Sequence, residues 1–188
     1  MNWIETAGFV TGILGVWLTI KQNNWCWPLW FVCTIFYLII FLDAKLFADM
    51  WLQVFYLITI GYGWYKWTTK TSMDEDSSVS FSDFKLLAIA AISIIGLTMI
   101  LGYLFSHYTS AAIPWLDSTL SAASIIATWL TAKKKLENWI IWIIADSIYV
   151  LVYCFKDLYI TAAFYFILLI LAIEGYHQWK GAWKKIEY

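Results

Sequence analysis

Three polar side chains lie inside long apolar runs of the sequence and are the first candidates for chemistry. Asp146, Gln53 and Glu174 each fall within a mostly apolar stretch about as long as the 20 residues that span a bilayer. A charged side chain at the bilayer centre costs about 2.5–3.5 kcal/mol on insertion scales, so it needs a partner or a role. We therefore predict that these residues contact a polar or charged ligand, although Glu174 could instead pair with a nearby lysine.

A face of polar and aromatic residues surrounds Asp146. Steps of four, four, three and four residues, which keep side chains on one helical face, separate the members of this set: Asn138, Trp142, Asp146, Tyr149 and Tyr153. An earlier apolar run contains a comparable set: Trp30, Thr34 and Tyr37. Aromatic rings around one carboxylate suit a flat, cationic heteroaromatic ligand, because the rings stack on it and attract its positive charge. Packing alone is the alternative interpretation for Trp30 and Trp142.

Other kinds of active site find no support in the sequence. His107 and His177 have no cysteine or carboxylate at metal-ligand spacing, so no metal site is predicted. The three cysteines are interpreted as small apolar residues: Cys26, Cys33 and Cys154. Because phosphate-binding loops and hydrolase motifs are missing, the sequence predicts neither an enzyme nor a cofactor.

The composition places these candidate residues on helices in lipid. Hydrophobic residues make up 62% of the 188 residues and charged residues 13%, and the mean hydropathy is +0.70. Such a chain lacks the polar surface that a water-soluble domain needs. Short polar breaks divide it into seven apolar runs, approximately 5–21, 26–43, 48–67, 84–105, 114–132, 137–155 and 159–179. The predicted fold class is an all-α polytopic membrane protein with seven transmembrane helices.

An internal repeat organises these runs. Adding 112 to the residue number superimposes several residues without a gap: Trp17 on Trp129, Trp27 on Trp139, Gly63 on Gly175 and Trp67 on Trp179. A three-helix unit ends on the opposite side from its start, so two parallel copies require one extra crossing between them. The predicted organisation is a first three-helix repeat at 1–70, a cytoplasmic linker at 71–83, a linker transmembrane helix at 84–105 and a second three-helix repeat at 114–188.

The charged and aromatic residues near the ends of the runs predict an orientation. Ten of the twelve lysines fall on one side, and cytoplasmic loops are rich in lysine, so we expect the N-terminus outside and the C-terminus in the cytoplasm. The net charge of −1 and the absence of Arg argue against a nucleic-acid partner. The segment from Thr68 to Ser82 is predicted to be solvated. Tryptophans near the run ends are predicted to anchor the chain at the two interfaces: Trp17, Trp25, Trp27, Trp64, Trp67, Trp129, Trp139, Trp179 and Trp183.

Several motifs give the chain a family resemblance. They are Trp115-x-Asp117-Ser118, Lys134-x-x-Glu137-Asn138-Trp139-x-x-Trp142, Leu52-Gln53-x-Phe55 and Tyr62-Gly63-Trp64-Tyr65-x-Trp67. With them the chain resembles the PnuC-type vitamin transporters over nearly its whole length. The resemblance implies three helices, a linker helix and three helices, similar to the SWEET sugar carriers. It also implies facilitated diffusion of a vitamin through a bacterial inner membrane, with a separate cytoplasmic kinase trapping the substrate.

The substrate stays open among the vitamins of that family. The resemblance implies that enterobacterial nicotinamide riboside transporters carry amides where this chain has Asp146 and Glu174, and two carboxylates favour a permanent cation. We therefore predict thiamine, with nicotinamide riboside as the alternative and riboflavin after them. A channel would show rings of repeated charge, and a membrane enzyme would show a catalytic pair, so both are less well supported. Homo-oligomers are compatible with the sequence.

Overall fold

Seven helices make up almost all of the described chain. A computed structural model describes residues 3–43, 47–69, 78–109, 113–155, 157 and 159–187. The helices are α1 (Trp3–Ile20), α2 (Cys26–Asp43), α3 (Phe47–Thr69), α4 (Phe84–Tyr108), α5 (Pro114–Ala132), α6 (Glu137–Phe155) and α7 (Tyr159–Glu187). The all-α prediction is confirmed. The predicted boundaries agree to within a few residues, except that α7 continues beyond its predicted end at 179 to Glu187.

Four of the helices are long and apolar enough to cross a membrane, by length and composition. They are α2, α4, α6 and the part of α7 from Thr161 to Lys185, while the apolar part of α1 is shorter. The helix α5 is rich in serine and threonine. It packs against α3, α4 and α6, so much of its surface faces protein rather than lipid. Its hydroxyls donate within the helix, as Ser124 does to the Leu120 carbonyl at 2.8 Å. A helix that faces protein on several sides can carry such residues.

Six of the helices form a closed ring. Each contacts its neighbours in the order α1, α2, α3, α5, α6, α7 and back to α1. The remaining helix, α4, packs on α5 outside this ring. The ends of α1, α3 and α5 lie together, and we call this end of the bundle the lysine-rich end because it carries Lys21, Lys66 and Lys133.

Four of the tryptophans predicted at the interfaces form a buried cluster at the lysine-rich end instead. Their exposed fractions are 1% for Trp27, 7% for Trp67, 2% for Trp139 and 0% for Trp179. The interface prediction is wrong for these four residues. The two glycines that match in the repeat explain it, because a Cβ at Gly63 would collide with Trp27 and one at Gly175 with Trp139. Other tryptophans do remain exposed: Trp17, Trp25 and Trp64.

The contacts within this cluster occur in pairs that are 112 residues apart. Trp27 meets Trp67 edge to face with ring centroids 5.4 Å apart, and Trp139 meets Trp179 at the same distance. The indole of Trp67 donates to the Ala132 carbonyl at the end of α5. The indole of Trp179 donates to the equivalent Ile20 carbonyl at the end of α1, and both distances are 3.2 Å. Each three-helix unit therefore holds the end of the other unit's first helix.

The turns that follow α1 and α5 also share one backbone geometry. Gln22 and Lys134 both adopt the left-handed conformation, with φ values of 53° and 52°. The Gln22 amide donates to the Thr19 carbonyl and the Lys134 amide to the Thr131 carbonyl, both at 2.9 Å. Since left-handed residues other than glycine are uncommon, the matching pair is a specific feature of the two units.

The segment 78–83, which we call the strap, crosses the lysine-rich end. Ser80 pairs with the turn between α5 and α6, accepting from the Leu136 amide at 3.0 Å. Both oxygens of the Glu137 carboxylate accept hydrogen bonds from Ser82 at 2.9 Å. Val79 is buried against the tryptophan cluster. The prediction of a solvated linker is therefore wrong for Val79 and the paired residues Ser80 and Ser82, whereas Phe81 is exposed. The earlier part of the linker, 70–77, lies outside the described residues.

Candidate functional site

The ring of helices encloses a central cavity of about 410 Å³. All six ring helices contribute to its described wall, and α4 does not. On α2 the wall runs from Trp27 to Phe41, and on α6 from Asn138 to Tyr153, which is about 20 Å at 1.5 Å per residue. A cavity of this size, mostly apolar with a few polar groups, is typical of a small-molecule site.

Eight of the nine residues predicted to bind a ligand line this cavity. They are Trp30, Thr34, Tyr37, Gln53, Asn138, Trp142, Asp146 and Tyr149. The sets on α2 and α6, whose members Trp30, Thr34 and Tyr37 precede Trp142, Asp146 and Tyr149 by 112 residues, therefore line one cavity. Gln53 reaches the same space from α3.

Glu174 is the exception. Its side chain is exposed and accepts a hydrogen bond of 2.6 Å from Gln178 on the same helix. Gln178 in turn accepts from Lys21 at 3.2 Å, so Glu174 belongs to a surface network at the lysine-rich end. The structure does not bring this residue to the cavity, and we no longer include it among the candidate site residues.

Asp146 is the acidic residue of the described cavity wall. It lies on the face of α6 that also carries Trp142 and Tyr149, and its exposed fraction is 3%. Among the described residues, none donates a hydrogen bond to its carboxylate, and no lysine forms an ion pair with it. A buried carboxylate facing an open cavity without a partner suits a cationic ligand, which would supply the missing countercharge.

Stacked tyrosines line the cavity toward its other end. Tyr165 of α7 stacks on Tyr149 at a centroid distance of 4.4 Å and on Tyr153 at 5.3 Å. The sequence analysis included Tyr149 but missed Tyr165. The repeat gave no signal for Tyr165, because its equivalent position in the first unit is Gln53 rather than an aromatic residue.

Trp30 is held in place by α1. Its indole donates to the Thr19 hydroxyl at 3.2 Å, and Thr19 donates to the Gly15 carbonyl at 2.8 Å. A Cβ at Gly15 would lie 3.1 Å from the Trp30 ring, so the glycine allows the close approach of α1 and α2. The ring thus presents a fixed apolar surface to the cavity.

Unpaired polar atoms lie in the cavity wall near the lysine-rich end. The Asn138 amide nitrogen donates to the Lys135 carbonyl at 2.7 Å, whereas its oxygen has no partner among the described residues. The same holds for the indole nitrogens of Trp27 and Trp139. Buried polar atoms are nearly always paired, so these three atoms are exceptions, but each exposes less than 1 Å² and is not open to a ligand in the cavity.

Tyr56 is another cavity residue that the sequence analysis missed. It lies three residues after Gln53 on α3, and both side chains line the cavity. Helical spacing from Gln53 could have found it, since residues three apart share a face. Its hydroxyl adds a second polar group to the α3 part of the wall, which also contains the Gln53 amide and the apolar Ile60.

Comparisons with known proteins agree with this architecture. A family described as nicotinamide mononucleotide transporter matches residues 2–181. The nicotinamide riboside transporter PnuC of Escherichia coli strain K12 is 28% identical, and the alignment covers 95% of this chain and 85% of that protein. The riboflavin/roseoflavin transporter RibM of Streptomyces davaonensis is 26% identical, with coverage of 78% and 70%.

A solved structure shows the same fold. The crystal structure of the vitamin B3 transporter PnuC superimposes with a TM-score of 0.77 at 20% identity, covering 97% of this chain and 83% of that one. These relatives are transporters rather than enzymes. With a family match along nearly the whole sequence and a ring of helices around a ligand-sized cavity, the chain belongs to the PnuC family of membrane vitamin transporters.

Proposed function

We propose that this protein carries nicotinamide riboside across the membrane through its central cavity. The sequence analysis favoured thiamine and kept nicotinamide riboside as the alternative. The relatives support the alternative, because the Escherichia coli protein is a nicotinamide riboside transporter and its alignment spans 95% of this chain. The relative that transports riboflavin is aligned over a smaller part, 78%.

The carboxylate of Asp146 among aromatic rings supports a cationic substrate, and it would suit thiamine as well as nicotinamide riboside. The observation that carries the choice of nicotinamide riboside is the alignment with the Escherichia coli transporter over nearly the whole chain. Nicotinamide riboside contains a pyridinium ring with a permanent positive charge, a carboxamide and ribose hydroxyls. The ring would stack on aromatic walls such as Trp142 and Tyr149, with Asp146 as its countercharge. The carboxamide and hydroxyls would hydrogen-bond with polar side chains of the wall, such as Gln53 and Tyr56. Riboflavin is neutral at pH 7, so it would leave the carboxylate without a countercharge.

Transport by facilitated diffusion accompanies this proposal. The sequence contains no nucleotide-binding motif, and a substrate trapped by a separate cytoplasmic kinase would enter down its own gradient. The lysine distribution supports a bacterial inner-membrane protein whose N-terminus lies outside and whose C-terminus lies in the cytoplasm.

Calorimetric binding to the purified protein in detergent tests the substrate. We expect nicotinamide riboside to bind at least tenfold more tightly than thiamine, and riboflavin to give no measurable heat. Nicotinamide serves as a matched control because it has the ring and carboxamide without the ribose or the charge, and it should bind weakly. Tighter binding of thiamine would restore the first prediction, and tighter binding of riboflavin would contradict the role of the carboxylate.

A further inference from the structure

A second cavity lies at the surface of the lysine-rich end, separate from the central one. It has a volume of about 360 Å³ and lies where the first turn of α4 meets the turn between α5 and α6. Three lysines and one carboxylate line it: Lys85, Lys133, Lys135 and Asp83. None of its lining residues also lines the central cavity.

The charged groups of this cavity are held by defined contacts. The Lys135 ammonium donates to the Ser80 hydroxyl at 2.7 Å, and the Lys133 ammonium lies 4.6 Å from the centroid of the Trp129 ring. Asp83 caps α4, accepting from the Leu86 amide at 3.0 Å. Three ammonium groups and one carboxylate thus lie in the wall of the same cavity. The N-terminal dipole of α4 adds to the attraction for an anion.

The wall of the cavity becomes apolar toward the membrane. Its other lining residues are Phe81, Leu86 and Ile89, and Ile89 is 44% exposed. The outer surface of α4 continues with exposed Ile92 and Ile95. Since α4 packs outside the ring, this apolar surface faces the position of lipid tails. A rim that contains three lysines thus lies next to the apolar outer surface of α4.

We propose that this cavity binds the headgroup of an anionic phospholipid whose acyl chains lie along α4. Basic pockets between helices at a membrane surface take anionic headgroups because the phosphate pairs with ammonium groups while the chains stay in hydrocarbon. The continuous apolar wall favours a lipid over a free phosphate ion, which would use only the charged rim. The lipid would hold together three parts of the fold: α4, the strap and the turn before α6.

Native mass spectrometry of the protein with added phosphatidylglycerol or phosphatidylcholine tests the proposal. Wild type should bind one phosphatidylglycerol more tightly than phosphatidylcholine. The double variant Lys85→Gln, Lys133→Gln should lose about 30-fold in phosphatidylglycerol affinity, or roughly fivefold for each lysine at a membrane surface. The control Lys184→Gln, Lys185→Gln removes two exposed charges from the last turn of α7 and should bind like wild type.

A variant with the opposite effect protects the test against loss of folding. Asp83→Ser keeps a residue that caps helices while it removes the negative charge, so phosphatidylglycerol affinity should rise about fivefold. Equal affinities for the two lipids, or equal losses in both double variants, would overturn the proposal. Displacement of the lipid by millimolar inorganic phosphate would show a free-phosphate site and would also overturn it.

Discussion

Asp146 carries the charge that the proposed substrate requires, so its replacement isolates one interaction. Asp146→Asn keeps the shape of the side chain but removes the countercharge of the pyridinium ring. We expect nicotinamide riboside affinity to fall by roughly 5- to 150-fold, which corresponds to about 1–3 kcal/mol for a partly desolvated cation among aromatic rings. Calorimetry on the folded variant measures this loss.

The matched control is Glu174→Gln on α7. This substitution also neutralises one carboxylate, but at an exposed position outside the cavity, so affinity should stay within about twofold of wild type. Equal affinities of wild type and Asp146→Asn would make Asp146 a structural residue. A large loss in Glu174→Gln would return that residue to the site.

Trp142 tests the aromatic wall in the same way. Trp142→Ala should weaken binding at least tenfold, because a stacked ring contributes about 0.5–2 kcal/mol and the wall loses its shape as well. Trp183→Ala removes an indole that contacts Phe81 of the strap with a centroid distance of 4.7 Å, away from the central cavity. Trp183→Ala should bind nicotinamide riboside with the affinity of wild type. Calorimetry on both variants measures the two affinities, and a larger loss in Trp183→Ala than in Trp142→Ala would contradict the location of the site.

At the scale of elements, the two glycine–tryptophan contacts explain how the lysine-rich end closes. Gly63→Ala places a methyl group in the Trp27 ring, so the ring must shift or α3 must move away from α2. We expect a loss of about 1–3 kcal/mol in stability, as for overpacked cores, seen as a lower unfolding temperature in detergent. Gly61→Ala, two residues earlier, meets nothing within 4 Å and should be neutral or stabilising.

The helices themselves could be predicted from the sequence, and the direction in which they face could be predicted only in part. Polar breaks set the ends of the apolar runs, which is why α2, α5 and α6 begin and end where expected. Whether a tryptophan at a helix end lies at the interface or in the protein depends on its neighbours. For Trp27 the neighbour is Gly63, on another helix, and hydropathy carries no signal for that contact.

The error at Glu174 has a different physical cause. Depth in the membrane suggested a functional role, but the helical phase of α7 determines which residues face the cavity. Thr161, Tyr165, Leu168 and Ala172 line it at steps of four, three and four residues. Two residues beyond Ala172 the helix has turned by about 200°, which points Glu174 away. The residues of α6 that line the cavity could be predicted because their spacing places them on one helical face. Their role in binding stays a prediction.

At the scale of the whole molecule, the reciprocal contacts at an offset of 112 residues support the predicted duplication, which also stays a prediction. The orientation predicted from the lysine distribution can be tested by cysteine labelling in intact cells, with Cys154 replaced by Ser. A cysteine at Asp157, exposed at the end opposite the lysines, should react with an impermeant maleimide. A cysteine at Lys184 should react only after permeabilisation, and the reverse pattern would invert the topology.

The central claim is that this protein lets nicotinamide riboside cross the bilayer through the cavity at Asp146. Uptake of radiolabelled nicotinamide riboside into proteoliposomes tests it most directly, with protein-free liposomes and Asp146→Asn as controls. The wild type should bring the internal concentration up to the external one, without ATP or an ion gradient, and faster than the variant. Uptake no faster than in protein-free liposomes would contradict the claim, as would accumulation above the external concentration that collapses with an ionophore.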